Sequence, residues 1–304
     1  MRSGGGKSVG EWLDEATHRI GSADLQCADP RRHAHQILEA VLGWSMAKIL
    51  ARTEEELGSD ALGHLEAFLS RRLGGEPFQY ILGRESFWKD EFSVGPGVLI
   101  PRRETEHVVE FLASLPLTHA RVVELGAGSG NIGISTLREK PQWIWFAAEK
   151  SAQAFEFARR NSLRLLDARA SVLVEPLEKS KASDLGGTYT LYHGDFFALA
   201  PAQGPWDVVV SNPPYVATAE IPTLAKEVRR EPALALDGGA DGLDFVRRIA
   251  QVSQDLLKPG GWLVLEIGSD QRGGGLEILS SLGYEQVNVL ADLAGLARVL
   301  IGKK

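Results

Sequence analysis

Trp206-Asp207-Val208-Val209-Val210-Ser211-Asn212-Pro213-Pro214-Tyr215 decides the class of fold. A β-branched run without polar alternation reads as a strand buried on both faces, which is the pattern of a parallel sheet. Two consecutive prolines then end it, because neither can donate to a ladder. The strand stops at Asn212 and leaves a stiff turn at its carboxyl end, where open α/β sheets place their ligands. This turn offers one carboxamide, two carbonyls with restricted dihedrals and one aromatic ring. Such a set can hold a planar NH2 group: Asn212 Oδ1 and the Pro213 carbonyl accept its two hydrogens while Tyr215 packs on its face. A strand-ending turn with a packed tyrosine is the simpler alternative for a lone Pro-Pro.

Upstream, the strand Arg121-Val122-Val123 runs into Glu124-Leu125-Gly126-Ala127-Gly128-Ser129-Gly130-Asn131-Ile132-Gly133. Glycines there let the backbone turn sharply and approach a ligand where a Cβ would collide. Gly128, Gly130 and Gly133 satisfy the dinucleotide fingerprint, and an acidic residue, Glu149, follows about 20 residues later at the end of the next strand. Alone, this pattern fits NAD and S-adenosylmethionine equally, since both carry a ribose whose hydroxyls suit a carboxylate. Two features separate them. A ligand-facing Glu124 suits an ammonium and a sulfonium better than a pyrophosphate. Gly194-Asp195-Phe196-Phe197 ends the third strand, where Asp195 can accept from an adenine amine and Phe196 can pack on the ring. Standing alone, Asp195 would be a turn residue or a helix cap.

Around these motifs strand and helix alternate. Strands are expected at 121–125, 143–148, 190–193, 206–211, 262–267, 285–290 and 297–301, and helices at 131–139, 152–166, 243–257 and 275–282. Repeated β-α units imply a seven-stranded, mostly parallel sheet covered on both faces. The stretch from Asp167 to Gly187 is long for a connection and contains Glu178-Lys179-Ser180-Lys181, so it reads as an exposed insertion.

Before this region, apolar residues recur at three and four from Val9 to Leu73, with breaks near Gly21-Ser22, Asp29-Pro30, Gly43 and Gly58, which predicts a small helical domain over 1–73. His33 and His35 lie two apart and cannot share a helical face, so surface or capping roles are expected and no metal site. Residues 74–103 are rich in Gly, Pro and aromatics and predict a linker with a β-hairpin. The sheet-bearing domain then occupies 104–304, opening with a helix from Pro101 to about Leu115.

Composition narrows the class. A single cysteine, Cys27, excludes an intramolecular disulfide and points to a reducing, cytoplasmic compartment. Met1–Gly10 lacks the apolar core of a leader, Ser3-Gly4-Gly5-Gly6 reads as a flexible tail, and no stretch approaches the ~20 apolar residues of a membrane span. A net charge of −7 disfavours an enzyme that grips duplex nucleic acid through its phosphates.

Together these residues make the chain resemble the class I methyltransferase fold, a Rossmann-like sheet, and within it the HemK-type protein-glutamine methyltransferases of peptide chain release factors. The resemblance spans nearly the whole chain. It rests on Gly75-Glu76-Pro77-Phe78-Gln79-Tyr80-Ile81-Leu82-Gly83, Phe87-Trp88 and Pro96–Arg102 between the domains. In the sheet-bearing part it rests on Glu124–Gly130, Asp195-Phe196, Asn212–Tyr215, Glu231-Pro232-Ala233-Leu234, Gly238-Gly239, Asp241-Gly242-Leu243, Pro259-Gly260-Gly261 and Leu265-Glu266-Ile267-Gly268. The resemblance implies that Gly126, Ala127, Gly128, Ser129, Gly130, Glu149 and Phe196 bind S-adenosylmethionine; the charge and strand-end readings add Glu124 and Asp195 to that set, and Asn212 is expected to touch the cofactor as well. The resemblance also implies that Asn212, Pro213, Pro214 and Tyr215 hold the glutamine amide of a Gly-Gly-Gln loop, with Asn212, Pro213 and Tyr215 catalytic. Release factors are the implied partners, with no direct nucleic-acid binding and no metal. The chain departs from the pattern at Arg103, where a second proline is usual, at Glu149, where aspartate is commoner, and in the insertion after Asp167.

An amide nitrogen is a poor nucleophile because its lone pair is delocalised. Two acceptors that pin its hydrogens favour a more sp3 nitrogen and aim the lone pair. Three other functions compete. A nucleic-acid methyltransferase can use the same turn on an exocyclic base amine, but the acidic balance opposes it. An NAD-dependent oxidoreductase leaves Asn212–Tyr215 unexplained. A binding module that has lost catalysis conflicts with an intact Asn212 and Tyr215.

Overall fold

Val208, Val209 and Val210 are all fully buried, and their side chains alternate between the two faces of a sheet that is covered on both sides. The computed structural model describes residues 6–23, 25, 27–166, 170–173, 189–195, 197 and 204–304. Phe196, Ser3-Gly4-Gly5 and most of the stretch 167–187 lie outside the described residues. Contact clustering divides the chain into one unit running to Gly83 and including Thr223–Arg230, and a second made of Arg84–Pro222 and Glu231–Lys304.

The first unit is helical, with α1 (Val9–Gly21), α2 (Pro30–Leu42), α3 (Met46–Ala51), α4 (Ser59–Leu73) and α5 (Phe78–Leu82). Local sequence sets the boundaries. Ser8 and Glu11 form a reciprocal capping box at the start of α1. Asp29 caps α2, whose first residue is Pro30, and Gly43 ends it at φ 63°. The apolar faces meet in a core that includes Trp12, Leu13, Ile37, Leu38, Leu65, Leu69 and Phe78. The two histidines correct the surface expectation. His35 is buried on the inner face of α2, and His33 stacks on Phe78 with ring centroids 4.1 Å apart.

The second unit begins with the expected hairpin, β1 (Arg84–Phe87) and β2 (Asp90–Ser93), whose Phe87 and Phe92 meet edge to face. A 3-10 turn, Arg103–Thr105, then leads into α6 (Glu106–Ser114). The sheet follows: β3 (Arg121–Leu125), α7 (Asn131–Glu139), β4 (Ile144–Glu149), α8 (Ala152–Leu166), β5 (Ala170–Leu173), β6 (Tyr189–His193), β7 (Trp206–Ser211), α9 (Asp244–Leu256), β8 (Leu257–Glu266), α10 (Arg272–Ser281), β9 (Glu285–Ala291) and β10 (Ala297–Lys303). The seven expected strands form, and the short β5 adds an eighth at one edge, in the order β5-β6-β4-β3-β7-β8-β10-β9. That part of the stretch after Asp167 therefore belongs to the sheet. Pairing is parallel except around β10, which runs antiparallel to both β8 and β9.

Residues such as Val122, Trp145, Ala147, Val208 and Val210 point to the face covered by α6, α7 and α8, while Val123, Phe146, Val209 and Leu263 point to the face covered by α9 and α10. Burying each such valine, leucine or phenylalanine side chain contributes about 1.5–3 kcal/mol, which explains why these strands lack polar alternation.

Candidate active site

Strand order reverses at β3, which pairs with β4 on one side and β7 on the other. The partners Val123↔Val209 and Glu124↔Val210 bring the loop after β3 beside the turn after β7. Likewise Leu125↔Ala148 and Glu149↔His193 place the ends of β4 and β6 on the same edge. Four segments far apart in sequence thus meet where open α/β sheets bind ligands. They surround a cleft of ≈ 460 Å³ lined by Gly126, Gly128, Ser129, Glu149, Asp195, Asn212, Pro213 and Pro214, among others.

The glycine loop is shaped for close approach. Gly126 and Gly128 have φ of 81° and 57°, and a Cβ on either would meet nothing within 4 Å, so the space beside them is open to a ligand. Glu149 holds this loop: its Oε2 accepts from Gly128 N–H at 2.8 Å and its Oε1 from Ser151 N–H at 2.7 Å. Burial raises its carboxyl above the usual range, opposed by those backbone donors. Gly133 has a different task from Gly128. A Cβ there would lie 2.5 Å from Trp145 Nε1 and 2.8 Å from Glu124 Oε2, so this glycine serves helix-to-sheet packing.

Glu124, for which the charge comparison expects a ligand-facing position, lies elsewhere. It is fully buried, is not among the cleft-lining residues, and accepts from Trp145 Nε1 at 2.8 Å. Burial pushes its carboxyl up to about 8, beyond what the Trp145 hydrogen bond can offset. Asp195 lines the cleft, with Oδ1 accepting from Phe197 N–H at 3.0 Å and Oδ2 3.2 Å from Lys150 Nζ. Phe197 also lines the cleft, with the Arg248 guanidinium 3.4 Å from its ring centroid.

In the turn after β7, Ser211 Oγ donates to the Leu125 carbonyl at 2.5 Å, tying the two chain segments together. Asn212 Nδ2 donates to Thr105 Oγ1 at 3.2 Å, and its Oδ1 is buried without a hydrogen-bond partner among the described residues. An orphaned acceptor costs about 1–3 kcal/mol unless a ligand satisfies it. Pro213 and Pro214 line the cleft, whereas Tyr215 does not; its carbonyl accepts from Gln271 Nε2 at 2.8 Å. Burial holds the Tyr215 phenol above its usual range. Burial also pushes Glu266 up to about 7.

Sequence reasoning missed several supporting residues. Fully buried Asn161 on α8 donates to the Ser129 carbonyl at 2.9 Å and accepts from Ser93 N–H at 2.8 Å, bracing the glycine loop. Glu231 accepts from Ile100 N–H at 2.9 Å and pairs with Arg102 at the cleft wall. Thr105 was missed as well, and Glu231 and Glu266 stood in the motifs of the resemblance without a role of their own. The available signal was an acidic residue inside an apolar strand, as in Leu263-Val264-Leu265-Glu266-Ile267. Among the described residues no group of three or more His, Cys, Asp or Glu can hold a metal, and no helix is long and apolar enough to cross a membrane.

Two family models match the chain: a PrmC N-terminal domain over residues 11–83 and a methyltransferase small domain over residues 104–240. The release factor glutamine methyltransferase of Neisseria gonorrhoeae is 37% identical over 276 residues, covering 90% of this chain and 93% of that protein. The protein of the same name from Moorella thermoacetica is 37% identical over 297 residues, covering 95% and 96%. Among solved structures, the hMettl16 catalytic domain in complex with an MAT2A 3′UTR hairpin is 17% identical over 69% of this chain and 74% of its own, with a TM-score of 0.52. That likeness is one of fold.

Proposed function

This chain belongs to the release factor glutamine methyltransferases, and from that membership we propose that it transfers a methyl group from S-adenosylmethionine to the side-chain amide nitrogen of the glutamine in the Gly-Gly-Gln loop of a peptide chain release factor. The observation that carries this is the buried Asn212 Oδ1, an acceptor beside the cleft without a partner among the described residues.

The residues around the cleft suit the cofactor. Gly126, Ala127, Gly128, Ser129 and Gly130 would hold it against backbone, Glu149 would accept from its ribose, and Asp195 would accept from its adenine amine. When bound, it supplies an electrophilic methyl group on a cationic sulfonium. The chain's own residues then act on the other reactant. Asn212 Oδ1 and the Pro213 carbonyl accept the two amide hydrogens, Pro214 walls the cleft, and the amide nitrogen keeps its lone pair free and aimed. No general base is needed, because the amide proton becomes acidic as the new bond forms.

In this scheme the helical unit, which matches the PrmC N-terminal model, recognises the partner protein, and the chemistry lies in the second unit. A cytoplasmic location goes with such a substrate. The test is single-turnover transfer by Asn212→Ala and Asn212→Asp at saturating cofactor and release factor, with thermal melts alongside. Asn212→Ala should lose about 10²-fold or more, the scale of deleting one preorganised polar group. Asn212→Asp should also fail, since its added anion disturbs the amide's hydrogen bonds. A turn residue would tolerate aspartate, so near-normal turnover in both variants with unchanged melts contradicts the proposal.

A further inference from the structure

The two glycines before the proposed target glutamine have no side chains, so a site can hold them only through their main-chain N–H and C=O groups. Asn212 and the Pro213 carbonyl supply acceptors for the glutamine amide. A donor beside Asn212 would meet a glycine carbonyl.

The structure places one there. Residues 97–102 run along the cleft: Gly97, Leu99, Pro101 and Arg102 line it, while Val98 and Ile100 face the other way and are buried. The run starts against α8, where a Cβ on Gly97 would lie 2.3 Å from Gln153 Oε1. It ends beside the turn after β7. There the Arg102 carbonyl accepts from Thr105 N–H at 3.1 Å, and Thr105 Oγ1 accepts from Asn212 Nδ2 at 3.2 Å. Arg102 is therefore one hydrogen-bonded turn from the proposed amide acceptor. Its side chain is 30% exposed, and its Nη2 donates to Oε1 of Glu231, whose side chain is 2% exposed. Glu231 Oε2 accepts from Ile100 N–H at 2.9 Å, so one buried carboxylate fixes both the backbone of the run and the guanidinium at its end.

This pairing also decides what the guanidinium suits. A bare arginine favours phosphate or carboxylate, and its charge would repel a sulfonium held in the same cleft. With Glu231 cancelling that charge, the pair offers N–H donors without net charge, which fits a neutral carbonyl oxygen. We propose that Arg102 is a substrate-binding residue that donates to a main-chain carbonyl of the Gly-Gly-Gln loop, with Glu231 the positioning residue that aims it and shields the sulfonium from its charge. This rests on the function proposed above and deepens it.

The test uses the full-length protein and three variants: Arg102→Met, the double variant Arg102→Met with Glu231→Gln, and Glu231→Gln. Steady-state transfer to a purified release factor at saturating S-adenosylmethionine gives KM and kcat, and calorimetry gives affinities for S-adenosylmethionine and S-adenosylhomocysteine. Arg102→Met keeps the length of the stem and removes the donors. It should raise KM for the release factor by about tenfold or more, with kcat within about threefold and affinity for S-adenosylhomocysteine within about twofold of wild type, the pattern of lost ground-state binding. Should the unpaired buried Glu231 prevent folding of that variant, the double variant decides, since it carries neither charge and its glutamine still accepts from Ile100 N–H; the same rise in KM is expected. Glu231→Gln leaves the Arg102 charge uncompensated. It should weaken S-adenosylmethionine, which is cationic at sulfur, by about threefold or more relative to S-adenosylhomocysteine, which is neutral there. Wild-type KM in a folded Arg102→Met or double variant overturns the inference. So does affinity for S-adenosylhomocysteine that falls in step with the rise in KM, or a Glu231→Gln protein that loses both cofactors equally, because either marks a merely structural pair. A wild-type protein that binds S-adenosylmethionine and leaves release factors unmodified overturns the proposed function instead, and the substrate role of Arg102 with it.

Discussion

Glu149 Oε2 accepts the backbone N–H of Gly128 at 2.8 Å, so the carboxylate that ends β4 fixes the loop that leaves β3. The same side chain is the proposed ribose acceptor, and its removal should loosen the loop as well as delete a contact. Glu149→Ala should weaken S-adenosylhomocysteine binding by about 1–3 kcal/mol, as for loss of a charged hydrogen-bond partner. Calorimetry reads this directly. Unchanged affinity would remove Glu149 from the cofactor site.

Glu124 should make stability fall with rising pH. Its carboxyl is raised from 4.5 to about 8 in the folded protein by burial, so folding favours its protonated form. Its contribution is fully present below the unfolded value and is lost as pH rises through the folded one. Between those limits wild type should lose stability relative to Glu124→Gln at a slope approaching about 1.4 kcal/mol per pH unit, and the two should run parallel above about 8. Thermal midpoints of both proteins across that range check it; parallel curves throughout contradict it.

In the helical unit, Arg72 is 2% exposed and its Nη1 donates to Glu227 Oε1 at 3.0 Å and to the Glu76 carbonyl at 3.3 Å. Removing one partner of a buried pair leaves an uncompensated charge, which costs about 3–5 kcal/mol. Glu227→Ala should therefore destabilise this unit by that order in a denaturant titration. The double variant Arg72→Met, Glu227→Leu should recover most of the loss. A single variant as stable as wild type would show that water already screens the pair.

The parts legible in the sequence were those whose cause is local. Pro213-Pro214 ends a strand wherever it occurs, the glycines after Leu125 must bend, and the valines of β7 need two covered faces. Boundaries blurred where tertiary packing takes over: β8 begins at Leu257, before Pro259-Gly260-Gly261, and the first turn after Arg102 is 3-10 where an α-helix was expected. Helix α5 spans only Phe78–Leu82 and gives too little periodicity to notice. The residues that hold the site in place were hidden for another reason. Thr105 stands 107 positions from Asn212, and Glu231 stands 129 from Arg102, so no local pattern joins them. Glu124 shows the limit of reasoning from charge alone, because one step of strand register decides whether a carboxylate meets a ligand or a tryptophan.

The most direct measurement of the central claim is residue-resolved mass spectrometry of a purified release factor after incubation with this protein and labelled S-adenosylmethionine. The expected result is one labelled methyl group on the side-chain nitrogen of the glutamine in the Gly-Gly-Gln loop, absent when Asn212→Ala replaces the wild-type protein for the same short time. A release factor that stays unlabelled, or a label on any other residue, would contradict the account.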